Sequence, residues 1–173
     1  IDLLKAIQAK TSLDGIPVIN YRKNLLIVSN PPCSSFVDLD SQPFLAYHLL
    51  PWVNYKPHPP HGRSRPFAAL ITSRGCPFKC SYCSKPVFGY KFRSQSPERV
   101  VEEIIYYKKR FGVKEIAFYD DVFTLNKKRV YEIADIMISK NLKIHWTCET
   151  RVDLVDKELL QHNSFYGEFT PVE

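Results

Sequence analysis

Three thiols crowd into one short stretch, Cys76-Pro77-Phe78-Lys79-Cys80-Ser81-Tyr82-Cys83. Free cysteines are usually buried singly as small hydrophobes. Here Pro77, Lys79 and Ser81 stand between the thiols, so the stretch reads as a polar loop that a rigid scaffold must present. Thiolates are soft ligands and select zinc, copper(I) or iron–sulfur clusters. Structural zinc closes its tetrahedron with two such pairs, and this loop is one thiol short. A zinc module therefore needs His58, His61 or Cys148 as a further ligand. Three thiolates on a four-iron cluster instead leave one iron without a protein ligand, and an open metal position is where chemistry happens.

With 173 residues, 45% hydrophobic and 24% charged, the chain has the composition of a globular domain with a real core. No apolar run approaches the ~20 residues of a membrane helix. Asp2 and Lys5 interrupt the start, so no secretory leader is read there. Five cysteines, three of them clustered, argue for metal binding in a reducing, cytoplasmic setting rather than a disulfide scaffold. The net charge of +6 and pI near 9.0 reflect dispersed Lys and Arg. They are read as a mildly basic surface, with no membrane or nucleic-acid partner.

Residues 1–15 read as a short amphipathic helix stopped at Gly15, from Leu3, Leu4 and Ile7. Residues 16–28 read as a hairpin turning at Tyr21-Arg22-Lys23-Asn24. Eight of the 13 prolines fall in 29–66, which excludes a helix or a central strand there. Phe36, Leu39, Phe44, Tyr47, Leu49, Leu50 and Trp52 are too apolar for a free coil, so this linker lies against something. Residues 67–73 read as a buried parallel strand delivering the chain to the thiol loop, with Gly75 allowing the tight turn. Ser96-Pro97-Glu98 opens a helix that Gly112 stops. Residues 114–119 form a second strand and 127–140 a helix capped by Asn126. Residues 142–148 form a third strand, with another helix from Asp156. Strand–helix alternation of this kind implies parallel units.

The loop resembles the signature of the radical S-adenosylmethionine (SAM) enzymes, CxxxCxxC with an aromatic before the last Cys, here Tyr82. The resemblance implies an α/β fold, the first half of a partial (β/α)6 TIM-like barrel. It implies that Cys76, Cys80 and Cys83 hold a [4Fe-4S] cluster, with Phe78 and Tyr82 beside the cofactor. SAM would chelate the open iron, and an electron donor such as flavodoxin or ferredoxin would supply the reducing equivalent. The stretch Val37-Asp38-Leu39-Asp40-Ser41-Gln42-Pro43-Phe44 is similar to the connector preceding the barrel in the cobalamin-associated branch. That likeness divides the chain into 1–28, the tail of an upstream cobalamin-binding-like domain, 29–66, a Pro-rich linker, and 67–173, the barrel core. Any cobalamin site lies outside this chain, since its Asp-x-His-x-x-Gly signature is not in the sequence.

Chemistry in such barrels sits at the C-terminal strand ends. The second strand ends at Asp120-Asp121, adjacent carboxylates that repel unless a cation meets them. Tyr119-Asp120-Asp121-Val122-Phe123-Thr124 resembles the Asp-Asp-x-Phe-Thr form seen in the cobalamin-associated branch, where the family holds the SAM amino group. The alternative is that Asp121 caps a turn and Asp120 is solvated. At the third strand end, alternation sets Thr147, Glu149 and Arg151 on one face and Trp146, Cys148 and Thr150 on the other. Arg151 suits the SAM carboxylate and Glu149 a ribose hydroxyl; a Glu149–Arg151 pair is the alternative. Cys148 reads as a small core residue, His145 as a packed side chain and Cys33 as incidental. Lys127-Lys128-Arg129 stands against the helix dipole and reads as solvent-exposed. After Leu160 the resemblance fades; no fourth strand is read, and the chain is expected to be an incomplete barrel. The reading that follows is a SAM-cleaving enzyme acting on a small molecule, in methyl transfer or rearrangement. The rivals are an RNA- or protein-modifying methylthiotransferase and a non-catalytic zinc module.

Overall fold

The computed structural model describes residues 2–32, 36–56, 64–84, 87–163 and 167–171; Cys33, His58 and His61 lie outside them. The chain forms two compact units, Ile1–Val37 and Asp38–Glu173.

In the first unit, helix α1 (Asp2–Ala9) precedes a hairpin of β1 (Asn20–Lys23) and β2 (Leu26–Ser29). The helix ends earlier than residue 15. Lys10 turns left-handed at φ 51°, and the amides of Lys10 and Thr11 fold back to Ile7 O and Ala6 O, which closes the last turn. The hairpin also lies later than expected. Tyr21, Arg22 and Lys23 are strand, Tyr21 pairs with Val28, and the turn is Asn24-Leu25. Asn24 takes φ 57°, a conformation Asn tolerates better than most residues.

The second unit opens with the connector, residues 38–56, which carries two 3₁₀ turns, Tyr47–Leu49 and Trp52–Asn54. There follow β3 (Phe67–Leu70), β4 (Ser73–Arg74), β5 (Arg93–Ser94) and α2 (Pro97–Phe111). Then come β6 (Glu115–Phe118), α3 (Lys127–Ser139), β7 (His145–Thr150), α4 (Lys157–Asn163) and β8 (Gly167–Pro171). Strands β3, β6, β7 and β8 form one parallel sheet in chain order. A helix follows each of the first three, as α/β alternation dictates. The sheet does not close on itself.

Strand β8 corrects the sequence reading, which saw no fourth strand. Its five residues pair with β7, Trp146 against Gly167 through Thr150 against Pro171. A strand this short is specified by its partner rather than by its own composition.

Every residue of β6 is buried, as expected of a parallel strand covered on both faces. Ser96 Oγ accepts from Arg99 N at 3.2 Å, Pro97 sits in the first turn and Gly112 takes φ 65° at the C-cap. Val100, Ile104 and Tyr107 of α2 then pack with Leu70, Phe118 and Ile133 in the core. The connector seals the outer edge of β3. Tyr47 is buried, and its hydroxyl donates to Ala69 O at 2.8 Å and accepts from Ala69 N at 2.9 Å. Leu45 N donates to the Tyr107 hydroxyl at 2.9 Å, and Phe44 stacks on Tyr106 with centroids 5.1 Å apart. Edge groups that would otherwise invite another strand are thereby paired.

Candidate functional site

The thiol loop hangs from a clamp. Strands β4 and β5 pair antiparallel, Ser73 with Ser94 and Arg74 with Arg93, so the chain leaves and returns at one point. The sequence reading ran one strand through residue 73. The structure ends β3 at Leu70 and gives Ser73-Arg74 to this second ladder. Gly75 allows the turn: φ is 86°, and a Cβ there would stand 2.3 Å from Lys91 O. Cys76 N donates to Gly89 O at 3.1 Å, and Cys83 N donates to Cys80 O at 3.1 Å. Cys76 is buried, Cys80 half-buried and Cys83 exposed. All three thiols lie on the one excursion between β4 and β5. Among the described residues, though, no three His, Cys, Asp or Glu side chains converge to hold a metal ion.

The stretch from Asp120 to Thr124 ties three strand ends together. Asp120 is 1% exposed, which corrects the solvated alternative. Its Oδ1 accepts from Thr72 N at 2.6 Å, and its Oδ2 accepts from Thr72 Oγ1 and Ser73 Oγ, each at 2.7 Å. Burial pushes its carboxyl upward, opposed by those hydrogen bonds and by the Arg129 charge. Asp121 is exposed, and its Oδ2 accepts from Gly75 N at 3.0 Å. Phe123 stacks on Phe118 at 4.6 Å. Thr124 is buried, and its hydroxyl bonds the Thr150 hydroxyl at the end of β7. Four side chains of this motif therefore fix neighbours: the two carboxylates hold the root of the thiol loop, and the Phe and Thr hold the sheet.

Arg129 overturns the expectation of solvent exposure. It is 3% exposed. Its Nε donates to Gln95 O at 2.8 Å, and its Nη2 donates to Thr72 O at 3.2 Å and Thr72 Oγ1 at 2.8 Å. The positive charge at the head of α3 is thus drawn toward Asp120 rather than left against the dipole. Lys127 pairs with Asp156 and Lys128 with Glu132. Thr72, Ser73 and Gln95 complete the network beneath the loop. They are polar residues at strand ends, and only the unexplained charge at Arg129 flagged them in the sequence.

On β7, Cys148 is buried in the core with Trp146, so it stands away from the loop, and burial raises its thiol pKa. Glu149 is half-buried, and its charge adds to the burial that raises the Tyr119 phenol. His145 is exposed at the start of β7, the opposite end from the loop, so it is not the packed side chain expected. Arg151 does not reach for Glu149. Its Nε and Nη2 fork onto Asp153 at 2.9 and 2.8 Å, and its Nη1 donates to Cys80 Sγ at 2.9 Å. The guanidinium carbon lies 4.1 Å from the Phe78 ring centroid. The structure thus joins Cys80, Phe78 and Arg151 directly. Tyr82, 79% exposed, stands apart from them.

Residues 70–170 match the radical SAM superfamily. The chain belongs to that superfamily. Members of the radical SAM superfamily use a [4Fe-4S] cluster and SAM. The chain is 37% identical to an uncharacterized methyltransferase of Pyrococcus horikoshii, over 96% of this chain and 37% of that protein. It is 36% identical to the anaerobic magnesium-protoporphyrin IX monomethyl ester cyclase of Cereibacter sphaeroides, over 78% of this chain and 22% of that protein. The radical SAM methyltransferase TsrM of Kitasatospora setae, solved with cobalamin and a [4Fe-4S] cluster, shares its fold. The TM-score is 0.67 at 17% identity, over 98% of this chain and 35% of that one. The chain therefore spans well under half the length of each of these relatives. No helix among the described residues is long and apolar enough to cross a membrane.

The donor set fits an iron–sulfur cluster: three soft thiols, a loop rooted in a rigid buried network, and a glycine that admits close backbone approach. Of the further ligands a closed zinc site would need, Cys148 is committed to the core, and His58 and His61 lie outside the described residues.

Proposed function

We propose that this chain supplies the cofactor-binding end of a radical SAM enzyme acting in methyl transfer or a related rearrangement of a small molecule. The observation that carries the reading is the rooting of a three-thiol loop on strand ends that Asp120 to Thr124 lock together, within a stretch that matches the superfamily. When bound, the cluster and SAM supply an electron and a 5′-deoxyadenosyl radical able to take hydrogen from carbon. Cys76, Cys80 and Cys83 would hold the cluster, leaving SAM to bind where the loop supplies no fourth thiol. Asp121, exposed at the strand end and accepting from Gly75 N through Oδ2, would meet the SAM ammonium. Asp120 has both oxygens filled and acts instead as the clamp of the loop. Glu149 would meet the ribose, and Phe78, under the Arg151 guanidinium, would lie beside the cluster.

Methyl transfer is supported by the names of the relatives, and cobalamin as methyl carrier by the TsrM complex. We place the cobalamin site in parts of the enzyme other than these residues, the electron donor in the flavodoxin or ferredoxin class, and the enzyme in the reducing cytoplasm. The first test is metal identity. Anaerobic reconstitution with iron and sulfide should give a brown protein with about four irons per chain, and Ala at Cys76, Cys80 or Cys83 should abolish the colour. A colourless chain carrying one zinc would contradict the proposal and leave the structural module.

A further inference from the structure

Arg151 was expected at the SAM carboxylate, and its hydrogen bonds point elsewhere. A carboxylate is gripped best by two parallel N–H donors of a guanidinium. In this structure that fork is already filled by Asp153, both of whose oxygens accept from Arg151. The remaining terminal nitrogen donates to Cys80 Sγ at 2.9 Å. The flat face of the guanidinium lies on Phe78, 4.1 Å from the ring centroid. Three of the five N–H donors and one face are thus engaged, and two of the three partners, Phe78 and Cys80, belong to the thiol loop. The Arg151–Asp153 pair is itself largely exposed, with side-chain exposures of 34% and 54%. Such a pair adds little to stability; what it does is aim the third nitrogen.

We infer that Arg151 is a positioning residue for the cluster, holding Cys80 and setting the cluster's reduction potential rather than binding SAM. This rests on the radical SAM reading above. Reduction adds negative charge to the cluster. A cationic N–H donor on a ligating sulfur stabilises the reduced form, and hydrogen bonds to the sulfurs are an established lever on cluster potentials. Phe78 and Asp153 act through Arg151 by fixing its plane.

The test is an EPR-monitored redox titration of the reconstituted chain and of Arg151→Gln and Arg151→Lys, each with and without SAM. The expected result is a midpoint potential that moves to more negative values in Arg151→Gln and lies between in Arg151→Lys, with the SAM-induced change of the reduced spectrum kept in both. Should Arg151→Gln fail to hold four irons, Arg151→Lys alone carries the test, and it must still shift negative. An unchanged potential overturns the inference. So does an unchanged potential with the SAM response lost, which would return Arg151 to the SAM carboxylate. A wild-type chain that takes up no iron–sulfur cluster overturns the radical SAM reading itself, and the inference with it; the wild-type arm separates that failure from the others.

Discussion

Asp120 shows how one buried carboxylate can serve a site it does not touch. Three donors converge on it from Thr72 and Ser73, the residues that turn the chain from β3 into the loop. Hydrogen bonds to a charged group are worth about 1.5–3 kcal/mol each in context, and losing one partner leaves buried donors unsatisfied. Asp120→Ala should therefore cost about 3 kcal/mol of stability, read as a lower urea midpoint; an unchanged midpoint would show that the clamp is dispensable. The pH dependence has a definite sign. Burial holds the folded carboxyl above its ordinary 3.8, so the folded chain binds this proton more tightly than the unfolded one. That contribution is fully present below 3.8 and is lost as pH rises through the folded value. As pH rises above 3.8 and through the raised folded value, the wild type should lose stability from this group, and Asp120→Asn should flatten that part of the curve. The adjacent Asp121 was indistinguishable from Asp120 in the sequence. Both follow the end of β6 at Phe118, and only the fold shows which carboxylate is walled in.

At the scale of elements, the strand–helix alternation was legible because its signals are local: Ser96 and Pro97 open α2, Gly112 closes it, and β6 is a short apolar run. The elements misread were those fixed by distant partners. Strand β8 is five residues long and is paired along its length with β7; its last residue is Pro171, and Pro is tolerated at a strand end. The hairpin was misplaced because Ile16, Val18 and Ile19 are apolar without being paired as strand. The connector was legible as a chain lying on something, and Tyr47 shows what it does there, closing the edge of β3 through a single hydroxyl. Tyr47→Phe keeps the ring among Tyr107 and Phe111 and removes only those two bonds. It should cost about 1–2 kcal/mol, with faster amide exchange at Ala69 as the local signature. Equal exchange in the variant would mean that the edge is protected by packing alone.

For the molecule as a whole, the three-thiol spacing pointed to the superfamily that residues 70–170 match, because cluster ligation demands particular atoms at a particular spacing. What supports that loop was hidden, since Thr72, Ser73, Gln95 and Arg129 come from three separate segments and carry no motif of their own. Their network, with Asp120 to Thr124, makes the sheet's C-terminal end a rigid platform under an otherwise irregular loop, which is what a reactive site needs. The account stands or falls on whether that platform presents an iron with an open position to SAM. The most direct measurement is EPR of the anaerobically reconstituted, reduced chain before and after SAM is added. A reduced-cluster signal whose line shape changes with SAM, in wild type and not in Asp121→Ala, is the result predicted. A signal indifferent to SAM in the wild type would contradict the assignment of this strand-end platform as a SAM site.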